Sequence, residues 1–296
     1  MKKIGRLLTA MVTPFDDKMA VDYKQAQKLA LALLNSGSDG LVVTGTTGES
    51  PSLTHEEEFR LWRDVKKAVG DRGAVVAGSG SNSTDEAVEA TKEAEKIGVD
   101  GCLLVVPYYN KPTQEGLYQH FKAIAQATKL PCILYNVPSR TVTSMAPETV
   151  VRLSQIENII GIKEASGQME PIAFMLRDSK PGFIVWSGND NDTLPMMAMG
   201  GYGVISVASH LVGKQIKQMI ESFVSGETAT ATKIHLNLMP IFKNMFVVSN
   251  PIPVKYALNQ VGFRVGKPRL PLVEPDARSA QIIKDTLKLY KIDLPL

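Results

Sequence analysis

The stretch "IIGIKEAS" (159–166) is an apolar run that ends abruptly in a lysine and a glutamate. Its length and its near-continuous branched aliphatics are those of a parallel strand covered on both faces. Successive side chains alternate, so Gly161, Lys163 and Ala165 share one face and Ile160, Ile162 and Glu164 the other. A lysine that merely surfaced at a strand end would keep polar company, whereas Lys163 stands between two small residues. The small neighbours predict room around the amine, with Ile160 and Ile162 packed beneath outer helices. An ordinary lysine is only ~0.04% neutral at pH 7. A desolvated one loses its proton more readily, as a Schiff-base nucleophile must.

The same pattern recurs along the chain. Strand-length apolar runs occupy 7–12, 40–45, 74–79, 101–107, 132–137, 159–165, 183–188 and 203–208. Amphipathic segments such as 54–70 and 83–98 separate them, each opening with a capping box (Thr54 with Glu57, Ser83 with Glu86) and ending at glycine. The last strand–helix unit finishes at 211–226. Eight such units are the count that closes a (β/α)8 TIM barrel. Residues 227–296 show no strand pattern and predict a C-terminal helical appendage, so the expected division is a catalytic barrel over 1–226 and a helical domain over 227–296.

The 296 residues are 44% hydrophobic, ample for one large core, and 33 basic residues nearly balance 30 acidic ones. No basic run or aromatic-basic interleaving marks a nucleic-acid surface. No stretch reaches the roughly 20 apolar residues that span a membrane. The start, "MKKIGRLLTAMVTPFDD", opens with two lysines, but its apolar run is short, contains Arg6 and lacks a cleavage site. Cys102 and Cys132 open apolar strands and read as small core hydrophobes. A cytoplasmic protein is the expectation. The four histidines have no metal-ligand spacing, no serine sits in a GxSxG elbow, and "GSG" (78–80) is too slight for a dinucleotide fingerprint.

In such a barrel the chemistry sits where the strands end. Strand two runs into "TGTTGES" (44–50), whose amides and hydroxyls suit a carboxylate or phosphate, without the lysine of a P-loop. Strand five gives "ILYNVPSRT" (133–141), where Tyr135 shares a face with Ile133 and Val137. Arg140 follows in the loop, where a guanidinium grips a carboxylate bidentately. Strand four ends in "PYYNKP" (107–112), with Tyr108 and Tyr109 pointing opposite ways. Each has a plainer reading as well: tyrosines fill cores, and loop arginines are commonly solvated.

Taken together, "GTTGES", "PYYNKPTQEGLYQHF", "YNVPSRT", "GIKEAS", "SGND", "GVISV" and "NPIPVKYAL" (250–258) resemble the dihydrodipicolinate synthase family, within the pyruvate-dependent aldolases and lyases. The resemblance spans almost the whole chain. It implies a Schiff-base lyase of the diaminopimelate route to lysine, condensing pyruvate with aspartate β-semialdehyde and needing no cofactor beyond the imine on Lys163. It implies Tyr135 as proton shuttle, Thr46 and Tyr109 completing its relay, and Tyr109 supplied across a subunit contact of a homotetramer. Thr47 would bind the pyruvate carboxylate, Arg140 that of the semialdehyde, and Gly188 and Ile205 would offer backbone groups. A lysine-feedback site would map to Ser50, Pro51, His55, Glu58, Asn82, Glu86 and Tyr108. Pro51 and Glu58 depart from sensitive members, so weak inhibition or none is expected.

N-acetylneuraminate lyases and keto-deoxy sugar acid aldolases share the fold and the imine. They carry a serine–threonine pair where this chain has Thr46 and Thr47, and a polyhydroxylated substrate rewards neutral groups rather than Arg140. A ligand sensor of the same fold would need no proton relay.

Overall fold

The computed structural model describes residues 4–295; Lys2 and Lys3, the paired lysines of the amino-terminal run, lie outside them. Eight strands join in chain order as a closed barrel. They are β1 Leu7–Ala10, β2 Gly40–Val43, β3 Ala74–Gly78, β4 Gly101–Val105, β5 Cys132–Asn136, β6 Ile159–Glu164, β7 Ile184–Ser187 and β8 Gly203–Ser206. The pairings are parallel and their residues almost all buried, as strands apolar at every position require. The expected TIM barrel is thus the observed one. Every strand stops one or two residues before its apolar run does. At β2 the cause is local: Thr44 turns to φ 57, and its Oγ1 accepts a 2.7 Å bond from the buried Trp62 indole.

The chain divides into two compact units, one of Val76–Ile205 with the residues up to Arg6, the other of Leu7–Val75 with the residues from Ser206 on. In the first unit Gly161 corrects one expectation. A Cβ there would overlap the Ile184 carbonyl oxygen and come within 2.9 Å of Trp186 Cζ3. The space beside Gly161 is therefore filled by a buried indole, which donates to Gly5 O at 3.0 Å; it is not a void around Lys163. The helix Thr84–Ile97 corrects another. Ser83 Oγ accepts from Glu86 N at 3.4 Å, but the Glu86 carboxylate turns to Ser81 Oγ at 2.8 Å, so the capping box is half made. Cys102 and Cys132, paired in register across β4 and β5, are both buried and free, and burial pushes the Cys102 thiol up to about 12.

In the second unit the helix His55–Val69 has the full box, Thr54 Oγ1 accepting from Glu57 N and Glu57 Oε2 from Thr54 N. The last barrel helix, Ser209–Val224, starts two residues before its apolar pattern and is kinked at Val212. The helices Thr228–Asn244, Ile252–Gln260 and Ala277–Leu287 follow. No helix among the described residues is long and apolar enough to cross a membrane.

Candidate active site

Strands β5 and β6 pair with Tyr135 opposite Lys163 and Asn136 opposite Glu164. Register partners on parallel strands share a face, so phenol and amine lie together: Lys163 Nζ is 4.4 Å from the centre of the Tyr135 ring. Both are almost wholly buried, Lys163 at 5% exposure. Among the described residues no carboxylate is ion-paired with Lys163. Lys255 is the only other buried lysine among them, and it shows what a structural one needs. Its Nζ donates to Glu49 Oε1 at 2.7 Å and to the carbonyls of Thr13 and Lys267 at 3.0 Å each, so all three ammonium protons are committed. Burial pulls Lys255 down to about 8 against the opposing pull of Glu49. Lys163 has instead the face of a ring that carries a hydroxyl.

Arg140 stands not in open loop but on a one-turn helix, Pro138–Thr141, with proline at its start to fix φ. Its side chain is exposed. Gly188 follows β7; its amide already donates to Glu164 O at 2.7 Å, so the backbone group left for a ligand is its carbonyl. A Cβ there would lie 2.6 Å from that of Ala165, so only glycine fits. Ile205 is buried within β8. After β4 the chain is strained: Tyr109 has φ 73 and Lys111 φ 46, conformations that bulky residues adopt only when held. Asn82 Nδ2 donates to Tyr108 O and Asn110 Nδ2 to Asn82 O, and those bonds are the hold. The Tyr109 side chain is 90% exposed, whereas Tyr108 is only partly so.

In the second unit Thr46 and Thr47 form a 3-10 turn, Thr46–Gly48, followed by another, Ser50–Ser52, with Glu49 left-handed between them. The amides of Gly48, Glu49 and Ser50 are spent on carbonyls inside the turn, so any anion bound here would have to meet its Thr46–Thr47 end. Thr47 Oγ1 accepts from Asn250 Nδ2 at 2.8 Å, so its own hydroxyl proton can be donated elsewhere. Glu49 is buried, bonded to Lys255 and to the Arg269 amide, while the Arg269 guanidinium grips Glu57 in two bonds of 2.8 and 2.7 Å. Asn250 and Lys255 lie in the family-like stretch 250–258, but their contacts, like those of Arg269, are invisible in the sequence because nothing local to them signals partners some 200 residues away.

Ser50, His55 and Glu58 are brought together: Ser50 Oγ donates to Glu58 Oε1 at 2.7 Å and His55 Nδ1 lies 3.5 Å from Oε2. Burial raises the Glu58 carboxyl to about 7, against the lowering by Ser50 and His55. A carboxyl raised from 4.5 to about 7 favours the fold most below pH 4.5, and that contribution is lost as pH climbs through 7. The expected loss is up to about 3 kcal/mol. Glu58→Gln keeps the Ser50 acceptor, and urea unfolding from pH 4.5 to 8 is expected to show the wild type's decline flattened in that variant.

The Dihydrodipicolinate synthetase family model matches residues 3–290. The chain is 68% identical, over the whole of both sequences, to a 4-hydroxy-tetrahydrodipicolinate synthase of Dehalococcoides mccartyi. Among solved structures it resembles dihydrodipicolinate synthase from Bacillus anthracis, with TM-score 0.96 and 45% identity over 98% of this chain and all of that one. It resembles equally the enzyme from Cyanidioschyzon merolae with lysine bound, with TM-score 0.95 and 48% identity over 97% and 98% of the two chains. The match runs over nearly the whole length of the chain in sequence and in fold, and the chain belongs to the dihydrodipicolinate synthetase family.

Proposed function

We propose that this chain condenses pyruvate with L-aspartate 4-semialdehyde through a covalent imine on Lys163. Family membership makes it an enzyme, a lyase with the family's 4-hydroxy-tetrahydrodipicolinate synthase activity on small molecules. What carries the mechanism is the buried amine of Lys163 against Tyr135, with no carboxylate among the described residues ion-paired to it. The neutral amine adds to the pyruvate carbonyl and water leaves. The iminium nitrogen then draws electrons from the adjacent methyl, which gives up a proton, and the resulting enamine forms the new carbon–carbon bond at the aldehyde. Because the iminium is the electron sink, the reading needs no added cofactor.

Proton transfers at the imine fall to the Tyr135 phenol, with Thr46 and Tyr109 as its relay. Thr47 donates to the pyruvate carboxylate, an assignment supported by the Asn250 bond that occupies its acceptor side. Gly188 and Ile205 contribute backbone carbonyls, and Arg140 takes the semialdehyde's carboxylate. The strained, exposed Tyr109 supports a subunit contact, which we read as part of a homotetramer of a cytoplasmic enzyme serving diaminopimelate and lysine synthesis. On this reading residues 1–226 are the catalytic barrel and 227–296 a helical domain, whose Asn250 and Lys255 buttress the Thr46–Glu49 turn.

Borohydride with pyruvate is expected to add a pyruvate-derived mass to the wild type at Lys163 and none to Lys163→Ala, whose turnover collapses; a label on another lysine overturns the assignment. Arg140→Ala is expected to raise the KM for the semialdehyde about 10- to 150-fold, the loss of one charge-assisted pair, with the KM for pyruvate little changed. Equal damage to both would make Arg140 structural. Glu58 already spends its carboxylate on Ser50 and His55, which supports weak lysine inhibition or none. A lysine titration of the coupled assay to millimolar concentration checks this, and strong inhibition below millimolar refutes it.

A further inference from the structure

Glu164 follows the proposed nucleophile directly, yet alternation turns it to the opposite face of β6, away from Lys163 and Tyr135. It is buried at 1% exposure, and burial raises its carboxyl above the usual range. A buried carboxylate with no cation beside it is costly, and it persists only where hydrogen bonds occupy its oxygens. Both are occupied. Oε2 accepts from Asn136 Nδ2 at 2.9 Å and Oε1 from Ser166 N at 2.7 Å.

Asn136 extends the bonding into the loop. Its Oδ1 accepts from Met145 N at 3.0 Å, and its Nδ2 also reaches Ser144 Oγ at 3.1 Å. Residues 137–144 therefore leave the barrel at Asn136 and return to the side chain of the same residue. The excursion holds the Pro138–Thr141 turn and, on it, Arg140. Asn136 closes the neck of that loop, and Glu164 fixes the amide so that its oxygen faces Met145. The main chain anchors each position to its neighbouring strand, Asn136 O accepting from Ala165 N and Glu164 O from Gly188 N.

We propose that Asn136 and Glu164 are a buried positioning pair that fixes the Arg140 loop, and so sets how tightly the second, carboxylate-bearing substrate is captured. The pair touches no substrate itself. This rests on the roles proposed above for Lys163 and Arg140. Pyruvate capture and imine formation belong to the other face of the strands, so the pair's effect is confined to one substrate. From outside the loop, Gln114 holds Ser144 O through Nε2 and Ala146 N and Thr149 through Oε1, which keeps the segment attached when Asn136 is altered.

The test separates the two substrates. Asn136→Ala is expected to raise the semialdehyde KM about tenfold, the loss of a buried hydrogen-bonded acceptor, with the pyruvate KM and borohydride trapping unchanged. Glu164→Gln, which sets an amide donor against a donor, gives the same split more mildly and serves if Asn136→Ala does not fold. Asn136→Asp faces carboxylate with carboxylate and repeats the defect. The exchange Asn136→Asp with Glu164→Gln restores a donor–acceptor pair while keeping an oxygen toward Met145, and is expected to recover most of the wild-type KM. A folded Asn136→Ala with unchanged semialdehyde KM, an equal loss for both substrates, or a folded exchange variant without recovery overturns the proposal. Failure of the wild type to trap pyruvate would instead refute the imine at Lys163, while the semialdehyde KM still reads the pair.

Discussion

The proposed chemistry depends on one register, the pairing of β5 with β6 that sets Tyr135 against Lys163. Removing a lone ammonium from water costs several kcal/mol, and a desolvated ring face returns on the order of 2 kcal/mol. Strand pairing on both sides of β6 must therefore hold the amine where it is, and β7 supplies the other side with Trp186 opposite Lys163. The backbone cannot slip by one residue to relieve the burial. A slip would exchange the faces of β6, bringing Glu164 to the phenol and turning Lys163 toward the helices. Lys255 measures the alternative. A buried lysine that only supports structure takes up a carboxylate and two carbonyls.

The barrel was legible because a parallel strand covered on both faces writes itself as an apolar run, and all eight runs became strands. Their ends were less legible, because the apolar run continues into residues that leave the sheet through side-chain bonds. Thr44 does so on account of Trp62, a partner 18 residues on that no local pattern announces. Glu86 was misjudged for a related reason. A serine two residues before the cap competes for its carboxylate, and spacing alone cannot rank Ser81 against the Ser83 amide. Gly161 looked like vacancy beside the lysine and proved to be room for Trp186, since a glycine marks close approach without naming what approaches. Lys163, Tyr135 and Arg140 were readable because they sit at or just after strand ends, whereas Gly188, Ile205 and the Ser50–His55–Glu58 group came only from the family resemblance. The bonds made by their supports, Asn136, Asn250, Lys255 and Arg269, were not.

Those supports follow a common design. Thr47 and Glu49 are held by Asn250 and Lys255, the Tyr109 loop by Asn82 and Asn110, and the Arg140 loop by Asn136. In each case a side-chain amide or ammonium bonds a turn's side chain or backbone. Strained or irregular backbone has spare donors and acceptors that the sheet ladder cannot satisfy. An asparagine supplies one of each at fixed geometry with little entropy to lose. Loops pinned in this way can present reactive groups as rigidly as strands do.

The contrast between Lys163 and Arg140 shows why the two cations are treated differently. On the proposed mechanism the Lys163 amine attacks a carbonyl carbon, so it is needed at fixed geometry beside the phenol. A carboxylate receptor must never lose its charge, and a guanidinium keeps it at any working pH. The first group is buried on a strand and the second stands on an exposed turn. The exposed group gains reach but forfeits the order that burial gives, so it needs a tether. Asn136 and Glu164 lie one residue further along the same two strands that carry Tyr135 and Lys163. On the proposed reading one strand pair serves both needs, one face carrying the amine and the opposite face the bonds of Asn136 and Glu164.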